Sequence, residues 1–229
     1  NYLMFTTHTE STANFWNASI EQIEEYMKAF ETAISEEVKM FNPDIIHAQH
    51  NWITSSLLSK FNKPVVLTIH GTDLMGYKKS KEKLEEVNEK IRQEKQKYAN
   101  DKNEEKIKNI EEIEKIYEKY STKQQILKDI KEAIDTKNIK ISKEELSELI
   151  KLYDEKVKYQ LYMRNAENSA NNSNRIIVIS DDQKREFVSL FPNDKEKVEL
   201  LENGYDPKTF YVDKNVEKGD ILSKENRDY

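Results

Sequence analysis

Only four glycines (71, 76, 204 and 219) and four prolines (43, 64, 192 and 207) punctuate this chain, and none falls between Gly76 and Pro192. Backbone chemistry therefore breaks no helix across that stretch, and the turn-forming residues crowd into the flanks. The sequence divides into three parts: a first segment to residue 77, a middle of about 78–164, and the remainder.

In the first part, Ser19-x-x-Gln22 reads as a capping box. Ile20, Ile23, Met27, Phe30, Ile34 and Val38 follow at three- and four-residue spacing, which predicts an amphipathic helix ending near Asn42-Pro43. Asp44-Ile45-Ile46-His47-Ala48 is too short for a helix and apolar without alternation. A short helix is expected over about Ile53–Phe61, and Pro64 opens the β-rich run Val65-Val66-Leu67-Thr68-Ile69-His70. In the third part, Arg175-Ile176-Ile177-Val178-Ile179-Ser180 and Val198-Glu199-Leu200-Leu201 are two more candidate strands, separated by a helix carrying Phe187, Val188 and Phe191 that stops at Pro192. Continuous apolar strands alternating with helices predict a doubly wound α/β fold whose parallel strands are buried on both faces.

The middle is helical throughout. Leu84, Val87, Ile91 and Tyr98 form one stripe, and Ile107, Ile110, Ile113, Tyr117 and Tyr120 a second. Ser142-x-x-Glu145 caps a third helix carrying Leu146, Leu149, Tyr153, Val157 and Leu161. With 23 basic and 20 acidic residues in 78–164, its surface is a solvated face of mixed sign. A parallel crossover needs only about a dozen residues, so this one carries something extra. An antiparallel helical hairpin or small bundle is expected, with self-association through a coiled coil as the lesser alternative, since the stripes do not keep strict heptads.

Composition excludes several functions. A net charge of −6 argues against a nucleic-acid binder, and zero cysteines exclude disulfides and thiolate metal sites. No apolar run approaches the ~20 residues that cross a bilayer, and the first residues lack a signal-peptide pattern, so a cytoplasmic location and no transmembrane segment are expected. Chemistry is better sought at the histidines. All four (8, 47, 50 and 70) lie in the first 70 residues, and three sit at or just past the end of a predicted strand, where open α/β sheets bind ligands. Gly71 after His70 would let a ligand approach the backbone, and Thr72 or Asp73 would cap the next helix, whose free amides would face an anion. His47-x-x-His50 is half of a metal site without an evident third ligand, and no metal is expected. Asn203-Gly204, just past the last candidate strand, reads as a turn that ends the domain and opens a linker.

Four stretches, taken in order, resemble the acceptor-domain motifs of family 4 glycosyltransferases of the GT-B class. They are Asn42-Pro43-Asp44-Ile45-Ile46-His47-Ala48-Gln49-His50, Pro64 through Leu74, Asn174 through Ser180, and Glu202-Asn203-Gly204-Tyr205-Asp206-Pro207-Lys208-Thr209-Phe210. The resemblance covers roughly 40–77 and 165–212. It implies a Rossmann-like acceptor-side domain (1–77 and 165–212, half of a GT-B fold), a large all-helical insertion over 78–164, and a linker or tail at 213–229. It implies retaining transfer of a sugar from a nucleotide-sugar donor to a hydroxyl acceptor, without a metal or other cofactor. His70 would be the catalytic residue, pointing into the cleft and hydrogen-bonding the donor sugar. His47, His50, Asn51, Gly71, Thr72, Asp73, Ser180, Asn203 and Gly204 would line the site. A neutral imidazole suits such a task, since it can both donate and accept near pH 7.

The sequence also departs from the family pattern. The opening residues lack the expected first strand and glycine-rich loop, and the donor-binding domain is not found. Glu217 and Glu225 have the spacing of its paired glutamates but none of the context, and in so acidic a chain that match is chance. The expectation is a truncated piece or one half of a split enzyme, its donor domain supplied in cis or by another subunit, and inactive alone. The alternative function is a non-catalytic interaction or oligomerisation module, a degenerate α/β platform displaying the helices of 78–164. An unrelated nucleotide binder is disfavoured because neither Gly-x-Gly-x-x-Gly nor a P-loop occurs.

Overall fold

The computed structural model describes Leu3 and residues 13–136 and 139–204. The expectations placed on His8, on Tyr205–Phe210 and on the 213–229 tail lie outside the described residues.

Helix α1 (Ile20–Phe41) starts at the expected capping box: the Gln22 N–H donates to Ser19 Oγ, and Gln22 Oε1 accepts from the Ser19 N–H at 2.9 Å. It ends where Asn42 turns left-handed (φ 45°) and returns its N–H to Val38 O, with Pro43 preventing continuation. The run after it becomes β1 (Ile46–Gln49). The expected helix over 53–61 resolves into a single turn, α2 (Ile53–Ser56), and a 3-10 turn over Leu57–Lys60. Strands β2 (Val65–Thr68), β3 (Arg175–Val178) and β4 (Val198–Leu200) complete a sheet of order β1-β2-β3-β4, parallel at every pairing. Asn174 pins the start of the central pair, its side-chain oxygen accepting from the Val65 N–H at 2.9 Å and its backbone N–H donating to Val65 O.

The strands are not buried on both faces as the apolar runs suggested. Leu67, Ile69, Ile176 and Val178 are fully buried, whereas Val66 and Ile177 on the opposite face are only half-buried. Among the described residues the second face is partly covered, so the strands alternate. Burial of α1 shows the same incompleteness. Ile20 and Ile23 are in the core, but Phe30, Ile34 and Val38 only half-cover an apolar groove of about 540 Å³ against edge strand β1, beside exposed Phe41 and Ile45.

The crossover from β2 to β3 holds four helices: α3 (Gly71–Asn100), α4 (Glu104–Glu118), α5 (Lys123–Asp135) and α6 (Lys143–Asn172). The expected boundaries near 77/78 and 164/165 fall inside α3 and α6. Each is one helix of 30 residues, or ~45 Å at ~1.5 Å rise per residue, whose inner half belongs to the sheet layer. They run antiparallel, with Tyr77 Oη donating to Glu167 Oε1 at one end and Tyr98 lying by Leu149 and Leu152 at the other. Val87, Ile91, Ile110, Ile113, Ile126, Ile130 and Tyr153 belong to the same continuous core as Leu67, Ile176 and Phe187, so the helices extend the sheet domain rather than stand apart from it. Helix α5 went unanticipated because only Lys123, Ile126 and Ile130 are buried along it, too short a stripe to register; Thr122-x-x-Gln125, whose cap bond is present at 3.2 Å, is the signal that marks its start. Helix α7 (Asp181–Leu190) and a 3-10 turn (Pro192–Lys197) lead from β3 to β4.

A candidate site at the carboxyl edge of the sheet

Adjacent parallel strands bring their carboxyl ends side by side, and the register here pairs Gln49 with Thr68. The chain leaves β1 through His50 and β2 through His70, so the two imidazoles meet with ring centroids 4.4 Å apart and planes tilted by 39°. His50 adopts a left-handed backbone (φ 71°), a conformation that a residue with a Cβ adopts at a cost. The turn is tied on both sides: the His50 N–H donates to Thr68 O at 2.9 Å, and His50 O accepts from Ser55 Oγ and from the Trp52 N–H.

Asp73 organises this corner. It is the third residue of α3, and its side chain is fully buried. Oδ2 accepts from the His70 N–H at 2.8 Å and from the Asn51 N–H at 2.9 Å, and Oδ1 lies 2.8 Å from His50 Nδ1. A carboxylate can only accept, so Nδ1 carries the proton and Nε2 of a neutral His50 is left as an acceptor. The hydrogen bond to Asp73 raises the His50 pKa above the ordinary histidine value, outweighing the partial burial that opposes it, with the carboxylate charge adding in the same direction.

A second chain of contacts runs along the strand tips. Gln49 Oε1 accepts from His70 Nε2 at 2.8 Å, Gln49 Nε2 lies 3.1 Å from His47 Nε2, and that nitrogen lies 2.8 Å from Thr68 Oγ1. His47, Gln49, His50 and His70 are thereby joined in one cluster, open to solvent at His47, Gln49 and His50. Sequence reasoning missed Gln49. Its signal was position: on β1 it shares a face with His47, two residues before it.

The other expected residues fall differently. His47 lies within β1 rather than in the loop beyond it. Asn51 and Asp73, expected to line the cleft, are buried at 1% exposure each and face the protein, Asp73 because three donors converge on it. Asp73 lies in the first turn of α3, where the helix dipole favours its negative charge. Gly71 opens α3, and a Cβ there would meet nothing within 4 Å, so packing does not require glycine. Thr72 is exposed beside Asp73, its hydroxyl 3.5 Å from Oδ1. The Ser180 hydroxyl caps α7 by accepting from the Gln183 N–H at 3.2 Å, and the Gln183 side chain bonds across to Ile69 O. Asn203 and Gly204 are exposed beyond β4, the edge strand opposite β1, so β2 and β3 separate them from His47 and His50. Among the described residues no group of three or more acidic or histidine side chains is arranged to hold a metal ion, and no helix is long and apolar enough to cross a membrane.

Fold and site together define a mixed α/β protein, mostly helical, with a histidine-rich polar cluster at the carboxyl edge of a four-stranded parallel sheet. Comparison with family models, with curated proteins and with solved structures yields no match to this chain.

Proposed function

We propose that this chain is the acceptor-side, Rossmann-like half of a GT-B glycosyltransferase, which moves a sugar with retention from a nucleotide-sugar donor to a hydroxyl acceptor. The observation that carries the reading is the cluster of His47, Gln49, His50 and His70 at the carboxyl ends of two adjacent parallel strands, where open α/β sheets bind ligands. It arises from two of the four motif stretches, and the other two supply β3 with Ser180 and the exit beyond β4. His70 donates Nε2–H to Gln49, which fixes its ring beside that of His50 at the strand tips. A donor-binding partner domain would close over this edge and hold the diphosphate, and most of the rate enhancement would come from positioning and from stabilising that leaving group.

The test is sugar transfer from a panel of nucleotide sugars, measured on this chain together with the domain or subunit that supplies donor binding. His70→Ala should lower turnover by about 100-fold or more, a loss larger than the removal of its contacts with Gln49 and the His50 ring would cause through stability, as thermal unfolding of the variant would show. The isolated chain should transfer nothing. Turnover by the isolated chain, or a natural gene encoding neither a donor-binding domain nor a partner that carries one, defeats the proposal.

A further inference from the structure

We propose that a pocket outside the histidine cluster binds a neutral saccharide, a role separate from the transfer chemistry and independent of it. The pocket, of about 350 Å³, opens where the last turns of α6 meet the second turn of α3 and the connection from α7 to β4. None of its lining residues belongs to the cluster of His47, Gln49, His50 and His70. Its volume lies at the small end for ligand sites, which suits a single sugar ring.

Bonds between elements fix the walls. Tyr77 Oη donates to Glu167 Oε1 at 2.7 Å, joining α3 to α6. Lys197 ties the 3-10 turn to α6, its Nζ donating to Asn171 O at 2.6 Å and to Asp194 Oδ1 at 2.7 Å. The Tyr77 and Phe191 rings are buried with centroids 4.8 Å apart, and with Leu190 they give the pocket an apolar side. Asp194 is the telling group. Its side chain is only 8% exposed, and a carboxylate buried so deeply ordinarily has both oxygens satisfied. Oδ1 takes the Lys197 ammonium, but Oδ2 accepts no hydrogen bond among the described residues, and the residue lines the pocket. At the rim, the exposed side-chain amides of Asn168, Asn171 and Asn193 likewise make no hydrogen bond among the described residues.

The chemistry of these groups selects the ligand. Each amide offers two donors and an acceptor in one plane, while Glu167 and Asp194 only accept, so the pocket presents both kinds of partner. A sugar hydroxyl donates and accepts at once, and the apolar side suits the C–H face of a pyranose. Among the described residues no lysine, arginine or histidine lines the pocket, and the carboxyl end of the α6 dipole adds to its negative character. Phosphates, nucleotides and carboxylates are therefore disfavoured. A hydrocarbon would strip water from the rim amides and return no hydrogen bond. A peptide offers a single line of amides, whereas Asn168 and Asn171 come from α6 and Asn193 from the 3-10 turn, an arrangement that meets hydroxyls around a ring.

The experiment titrates the full chain with maltotriose, cellotriose, β-1,4-mannotriose and β-1,4-galactotriose, following the side-chain amide signals of Asn168, Asn171 and Asn193 by NMR. Tetra-alanine and inorganic phosphate are run beside them. At least one saccharide should shift all three amides with a Kd of about 1 mM, and neither control should move them. Asn171→Ala and Asn193→Ala, both at exposed positions where the fold is not at stake, should each weaken that binding by about 10-fold. Amide signals that no saccharide moves at about 10 mM overturn the proposal, as does binding that stays within about twofold of wild type in both variants. Shifts of the same amides by tetra-alanine or by phosphate alone assign the pocket to a peptide or an anion and overturn it as well. Every one of these outcomes is read without sugar transfer, so the result stands whether or not the chain takes part in that reaction.

Discussion

Replacing Asp73 by asparagine keeps the shape of the side chain and removes its charge. The Asp73 side chain is fully buried and takes three donors at 2.8–2.9 Å: the His70 N–H, the Asn51 N–H and His50 Nδ1. The asparagine oxygen can still serve the two backbone groups, and a neutral His50 can change tautomer to accept from the new amide, so no donor need be orphaned. What is lost is the charge-assisted part of each bond, roughly 1 kcal/mol apiece, or about 3 kcal/mol in all. For a chain of this length that corresponds to a fall in Tm of about 6–12 °C. The deficit should also depend on pH. Because Asp73 raises the folded-state pKa of His50, its stabilisation through His50 is fully present below the unfolded histidine value and is lost as pH rises through the raised folded value. The backbone share persists at all of these pH values. Thermal unfolding of wild type and variant from about pH 5.5 to pH 8.5 should therefore show the largest gap at the acid end, narrowing but not closing at the alkaline end. A gap that is flat across this range, or below about 1 kcal/mol throughout, refutes the assignment of Asp73 as the organiser of this corner.

Other parts of the fold make equally specific predictions. Lys123 Nζ, almost fully buried, pairs with Asp154 at 2.5 Å while the Tyr117 hydroxyl donates to the same carboxylate; Asp154→Ala should cost about 3 kcal/mol by leaving a buried ammonium without its partner, and Lys123→Met with Asp154→Leu should recover most of that in denaturant titrations. Tyr162 is fully buried and its hydroxyl donates to Phe15 O, so Tyr162→Phe should cost about 1–2 kcal/mol and Tyr162→Ala about 3–5 kcal/mol, read in the same titrations. Replacing 101–141 by a short linker should uncover Val87, Ile91, Leu149 and Tyr153 and drive the hairpin of α3 and α6 to self-associate in light scattering; a stable monomer would show that the bundle is not part of the common core.

Much of the framework was legible because it is written in local chemistry. The four strands, the Ser19 and Ser142 caps and the stop at Asn42-Pro43 are each set by residues within a turn of one another. Pairing and parallel sense followed from the rhythm of strand and helix. Domain limits did not, because Tyr77 and Glu167 sit in mid-helix and nothing in the sequence distinguishes the part of α3 over the sheet from the part beyond it. Site roles were the least legible. His50, His70 and Asp73 could be named as candidates, but which of them faces solvent depends on the pairing of Gln49 with Thr68 and on the left-handed turn at His50, and both are tertiary facts. Gln49 was overlooked for the same reason, as an amide in a strand becomes a bridge only when two histidines are placed on either side of it.

The competing reading, a platform that only displays helices, can be weighed against what this corner costs. A display scaffold needs a stable connection between β1 and α2 and between β2 and α3, and glycine at position 50 with an apolar residue at 73 would supply both. The chain instead carries a histidine in a left-handed turn, at a cost of about 1–2 kcal/mol, and a buried carboxylate whose desolvation must be offset by three donors. None of these groups enlarges the hydrophobic core, and their combined effect is to fix one imidazole with its second nitrogen directed outward. Strain and burial concentrated on the orientation of a single exposed ring serve chemistry at that ring better than they serve stability, and His50→Gly made together with Asp73→Asn should be at least as stable as Asp73→Asn alone in thermal unfolding, the relieved turn offsetting the lost ring contact.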